Sequence, residues 1–68
     1  MYLVESFEKQ ETKVLKTFYI EGTNKDVIMR RAKERLGLRG VKCRVISEDD
    51  TTTLIPNRMT IKIKIKEV

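Results

Sequence analysis

"TIKIKIKEV", Thr60 to Val68, closes the chain, and from Ile61 to Lys66 isoleucine and lysine alternate without a break. A period of two is that of a β-strand, whose successive side chains point to opposite faces. Met59, Ile61, Ile63 and Ile65 form one side; Thr60, Lys62, Lys64 and Lys66 form the other. One dry side and one wet side is the pattern of an antiparallel sheet with a helix packed on a single face. The segment predicts an α+β domain in which the isoleucines meet the helix and the lysines lie on an open face or along a sheet edge.

The rest of the chain supplies the other elements. "VKCRVI" (41–46) alternates too, with Val41, Cys43 and Val45 on one side and Lys42, Arg44 and Ile46 on the other. "SEDDTTT" (47–53) reads as a polar loop, and Pro56-Asn57 as a further turn. "YLVESFE" (2–8) and "KVLKTFYI" (13–20) are rich enough in β-branched and aromatic residues to be strands, with "KQET" (9–12) as a poor turn between them. "GTNKDVIMRRAKERLG" (22–37) reads as a helix with both ends marked. Thr23 is the expected N-cap, with Asp26 completing a capping-box-like pair, and Gly37 suits the left-handed position after the last turn. Ile28, Met29, Ala32 and Leu36 fall on one narrow stripe at 100° per residue. The expected order is ββαββ, with "TTLI" (52–55) a candidate extra strand.

Composition narrows the function classes. The 68 residues form a single domain, 1–68, whose small core contributes only a few kcal/mol of net stability. A homodimer joined through a strand edge would bury more apolar surface. No apolar run approaches the roughly 20 residues of a membrane span, and "MYLVESFEKQ" lacks the basic start of a signal peptide, so the expectation is a cytoplasmic protein with no membrane partner. There is one cysteine, Cys43, and no histidine. That leaves no internal disulfide, no zinc site and none of the commonest general base. Ser6 and Ser47 have no base to activate them. Glu48, Asp49 and Asp50 lack the spacing of a calcium loop and read as a solvated turn. No catalytic residue, metal ligand or cofactor is expected, and the protein is not expected to be an enzyme.

The net charge of +5 is unevenly placed. Residues 25–44 carry eight bases against two acids, whereas 45–68 balance. If the last two strands pair, Lys42, Arg44, Lys62, Lys64 and Lys66 share one face, and such a face can neutralise phosphates. On the helix, Asp26 and Glu34 lie at helical spacing from Arg30 and Arg31, which leaves Arg31, Lys33 and Arg35 less compensated and available as further phosphate contacts. Lysine on exposed strands also has a structural use, since it discourages edge-to-edge aggregation. Phe18 and Tyr19 are strand neighbours and must point to opposite sides, so one aromatic should join the lysines, where it could stack on a base. The parity of that strand leaves open which one. "GLRG" (37–40) has the GxxG form of a KH loop, but a strand, not a second helix, reads next, and a helix stop followed by a turn explains both glycines.

The segment "YIEGTNKDVIMRRAKERLGLRGVKCRVISED" (19–49) resembles the N-terminal domain of Jag-type proteins, whose other domains bind RNA. That family shows a strand, a Thr-capped helix ending in Leu-Gly, and two strands; Thr23, Val27, Ala32, Leu36 and Gly37 fit the pattern. The family's Gly- and Phe-containing loop between the last two strands is replaced here by "TTTLIPNRM", and no counterpart of its RNA-binding domains is expected within these 68 residues. The resemblance implies a fold and carries over no functional residue. Two function classes follow. One is a module that binds RNA or DNA through backbone charge; the other is a protein-interaction or homodimeric assembly module using a strand edge.

Overall fold

A central strand must hide one row of side chains and can wet the other, and the computed structural model of the chain, which describes residues 1–8, 10 and 13–68, is arranged around that demand. In chain order it contains β1 (Tyr2–Glu8), β2 (Val14–Ile20), α1 (Lys25–Arg35), β3 (Cys43–Glu48), β4 (Thr51–Pro56) and β5 (Ile61–Glu67). The strands make one sheet in the spatial order β2-β1-β5-β4-β3, every neighbouring pair antiparallel. This is the α+β class read from the sequence, but the order is ββαβββ rather than ββαββ. β4 is a full strand covering the segment read as a candidate extra one, and it separates β3 from β5, so the condition that the two basic strands pair is not met. The turn expected at 9–12 falls largely on residues outside those described.

β5, the Ile-Lys strand, lies at the centre between β1 and β4. Ile63 and Ile65 are fully buried beside Val4 of β1 and Leu54 of β4. Ile28 and Ala32 of α1 complete the cluster, with Met29 and Leu36 packed partly against it. The predicted helical stripe is therefore the stripe that meets the isoleucines. Each such side chain contributes about 1.5–3 kcal/mol by leaving water. The helix lies closest to β2, where the Arg35 guanidinium sits 5.2 Å from the centre of the Phe18 ring and points toward the Tyr19 carbonyl at 3.4 Å.

The helix starts one residue later than its sequence indicates. Asn24, not Thr23, is the cap: its Oδ1 accepts from the Asp26 N–H at 3.0 Å and from the Val27 N–H at 3.3 Å. An Asn side chain at this position satisfies two amides that the first turn leaves without partners. The far end is as read. Gly37 takes φ +72°, its N–H donates to the Glu34 carbonyl, and the Leu38 N–H donates to the Lys33 carbonyl at 2.8 Å. These two bonds make a Schellman motif, and Leu38 is buried under the turn as the motif favours. The first glycine of "GLRG" is thus the helix stop. The second, Gly40 at φ +80°, belongs to the turn into β3. Among the described residues, three strands and no second helix follow it.

The edges of the sheet differ. β2 carries one extra residue, Leu15, between the partners of Ser6 and Phe7, whereas β3 keeps an unbroken register with β4 from Cys43–Pro56 to Glu48–Thr51. Thr52, on β4, is fully buried, and its hydroxyl has no hydrogen-bond partner among the described residues. Thr52→Val keeps the shape and removes the orphaned group, so it should raise stability by about 1 kcal/mol in urea unfolding. Asn24→Ala should lower it by about 1 kcal/mol in the same assay.

Candidate nucleic-acid interface

The face of the sheet away from α1 is fixed by the register of its strands. Its central column is Lys62, Lys64 and Lys66 on β5, spaced about 7 Å apart as every second residue of a strand must be. Lys66 stands beside Leu3 of β1 and Thr51 of β4; Tyr19 and Glu48 lie one strand further out on either side. Lys64 stands beside Glu5 and Thr53, with Thr17 and Ile46 beyond. Lys62 stands beside Phe7, and Arg44 lies on the same face at the β3 edge, opposite Ile55.

Two contacts shape the column. The Lys64 ammonium lies 5.6 Å from the centre of the Phe7 ring, within cation–π range. Glu5 is directly opposite Lys64 on β1, so the middle lysine has a carboxylate neighbour on the same face. Such a cross-strand pair contributes roughly 0.2–1 kcal/mol. Lys62 and Lys66 have no acid directly opposite on β1, where their partners are Phe7 and Leu3. Lys62 is half-buried beside the Phe7 ring, and Lys66 is exposed.

Of the residues singled out from the sequence, Arg44, Lys62, Lys64 and Lys66 share this face. Because β4 intervenes, Arg44 stands two strands from the lysine column rather than next to it. Lys42 lies just before β3; it is exposed, and its carbonyl accepts from the Asn57 N–H at 2.9 Å, which extends the β3–β4 ladder by one pair. Arg31, Lys33 and Arg35 are elsewhere. They sit on α1, which packs on the opposite face through Ile28 and Ala32, so the sheet lies between them and the lysines. The two basic groups expected to contact phosphate together lie on opposite sides of the sheet.

The aromatic left open by parity is Tyr19. It is 56% exposed on the lysine face, whereas Phe18 is half-buried against the core under Arg35. Phe7 and Glu5 also belong to the face and escape sequence reading. "YLVESFE" has apolar residues at both parities, so only the pairing with β5 shows which side each takes. Along the α1 side of β3 runs a groove of about 410 Å³, with Met29, Val45 and Leu54 in its floor and Arg30, Lys33 and Arg39 at its rim. Cys43 is a free, half-buried thiol beside it, as a small residue packed against the core.

Among the described residues, no group of three His, Cys, Asp or Glu side chains could hold a metal ion, and no helix is long and apolar enough to cross a membrane. The geometry makes a direct chemical prediction. Tetranitromethane should nitrate Tyr19 and spare Tyr2, which is buried, with peptide mass mapping as the readout; modification of Tyr2 first would contradict this packing.

No protein-family model, no curated protein and no solved structure matches the chain.

Proposed function

We propose that the protein is a small non-enzymatic module that binds single-stranded nucleic acid on the open face of its sheet. The observation that carries the reading is the juxtaposition of the lysine column on β5 with the Phe7 ring on the neighbouring β1 and the Tyr19 ring one strand further out on β2. Cations track a phosphate backbone, and an exposed ring offers a platform for a base whatever its identity. A sheet face about four strand spacings wide suits a splayed single strand better than the groove of a duplex, which takes a helix or a narrow two-stranded ribbon. Arg44 and Lys42 extend the cationic path toward β3. Arg31, Lys33 and Arg35 lie behind the sheet and take no part in this reading.

Fluorescence anisotropy with a labelled single-stranded oligonucleotide, from about 50 to 200 mM salt, tests it. With three to five phosphates neutralised, log K against log salt should fall with a slope between about −2 and −3.5. Lys62→Glu with Lys64→Glu should abolish binding at the higher salt. Tyr19→Ala should cost roughly 1–3 kcal/mol of affinity and leave the salt slope unchanged. Arg31→Glu with Lys33→Glu makes the same change in net charge and should cost far less. Absence of binding at the lowest salt, or equal losses from the sheet and helix variants, would overturn the reading.

A further inference from the structure

We propose that two copies of this chain join through β3, antiparallel, about a twofold axis at Val45, to make one continuous ten-stranded sheet. The hydrogen-bonding alternation of β3 with β4 decides which backbone groups of β3 are free. The Asn57 N–H donates to the Lys42 carbonyl, so Lys42 and Asn57 are a hydrogen-bonded pair. Such pairs alternate along an antiparallel ladder. Arg44 and Ile46 therefore turn their backbone groups toward β4, and Cys43, Val45 and Ser47 turn theirs outward, where no strand lies among the described residues of the same chain.

The side chains on this edge are unusual for one that stays single. Natural edge strands are blunted by bulges, inward charges or cover. β2 has all three: the extra residue Leu15, the helix-facing Lys16 paired with buried Ser6, and the Arg35 side chain laid against the Tyr19 carbonyl. β3 has an unbroken register, and its apolar residues are uncovered on both faces, Val45 at 51% exposure and Ile46 at 37%. The helix lies toward β2 and leaves Val45 at the foot of the groove.

Charge selects the occupant. The basic residues Lys42 and Arg44 stand at the start of β3, and Glu48, Asp49 and Asp50 at its end. An acidic peptide would meet the acidic end, and a basic peptide the basic end. A second copy running antiparallel meets neither conflict. Centred on Val45, the ladder sets Lys42 opposite the partner's Glu48 twice, Cys43 opposite the partner's Ser47 twice, and Val45 against the partner's Val45. Centring on Arg44 would set two arginines face to face. Centring on Ile46 would draw Asp49 into the ladder, and Asp49 has φ +47°, which no strand accommodates.

The test needs no nucleic acid, so its outcome is independent of the function proposed above. Ser47→Cys places a thiol opposite Cys43 of the second copy, within the separation of about 7 Å between Cα atoms that a disulfide spans. Within one chain the two thiols are four residues apart on a strand, roughly 14 Å, and cannot join. Oxidised glutathione should convert Ser47→Cys to a covalent dimer, joined between positions 43 and 47 by peptide mapping, and should leave Ser47→Cys with Cys43→Ser uncoupled. In sedimentation equilibrium the unaltered chain should dimerise, Lys42→Glu should raise the dissociation constant about tenfold, and Lys42→Glu with Glu48→Lys should restore it. A chain that stays monomeric at millimolar concentration overturns the proposal. So does a dimer in which Ser47→Cys does not cross-link to Cys43, or in which the charge exchange fails to rescue.

Discussion

One helix has to cover a sheet that it cannot span, and most of this architecture follows from that shortfall. α1 is about 10–12 Å across with its side chains, while the axes of five strands at ~4.8 Å spacing extend over ~19 Å. The helix settles toward β2 and reaches the central strands through Ile28 and Ala32. The turn after it contributes Leu38 as a second, smaller plug in the core. What remains is the groove beside β3 and a valine on the covered side of the sheet that is nonetheless half in water. A longer stripe or a second helix would close that space; an eleven-residue helix does not.

The chain's route follows from the same limit. β2 and β3 are consecutive strands in sequence and the two outermost strands in space, so α1 and the turn after it carry the chain from one edge of the sheet to the other. β3, β4 and β5 then fold back as a meander until β5 meets β1. This places the most strictly alternating segment in the middle, where one face must be dry and the other has no helix. Ile63 and Ile65 satisfy the first condition, and the lysines between and beside them the second. Lysine there keeps the uncovered face wet whether or not a ligand lies on it, because a row of apolar side chains at the sheet centre would form an exposed patch.

The sequence made the α+β class, the helix with its glycine stop and the facing of β5 legible, because each rests on a local rule: period two, period 3.6, and a positive φ at Gly37. It obscured whatever depends on partners. β4 read mostly as loop because its start, Thr51 to Thr53, is polar, yet Thr52 is wholly buried between Ser47 and Ile65. Lys16 blurred the parity of β2, since a lysine on the covered face at a sheet edge can still extend its ammonium to water. Asn24 displaced Thr23 as cap because either side chain can serve and only the geometry of the entering chain decides between them. For the candidate site, the lysines were visible as residues. Their neighbours Glu5, Phe7 and Tyr19 became visible only with the register, and Arg31, Lys33 and Arg35 separated from them only with the placement of the helix.

The extra residue in β2 has a consequence beyond its own hairpin. A sheet with two equally receptive edges has no reason to stop growing: each added copy presents a fresh edge, and the product is a fibre. Here one border is kinked by Leu15 and the other is straight. Edge-to-edge growth of this domain would therefore be self-limiting, because joining the straight borders leaves only kinked ones outside. A single inserted residue on β2, two strands from the lysine column of β5, sets an upper bound on the size of any assembly built by strand addition.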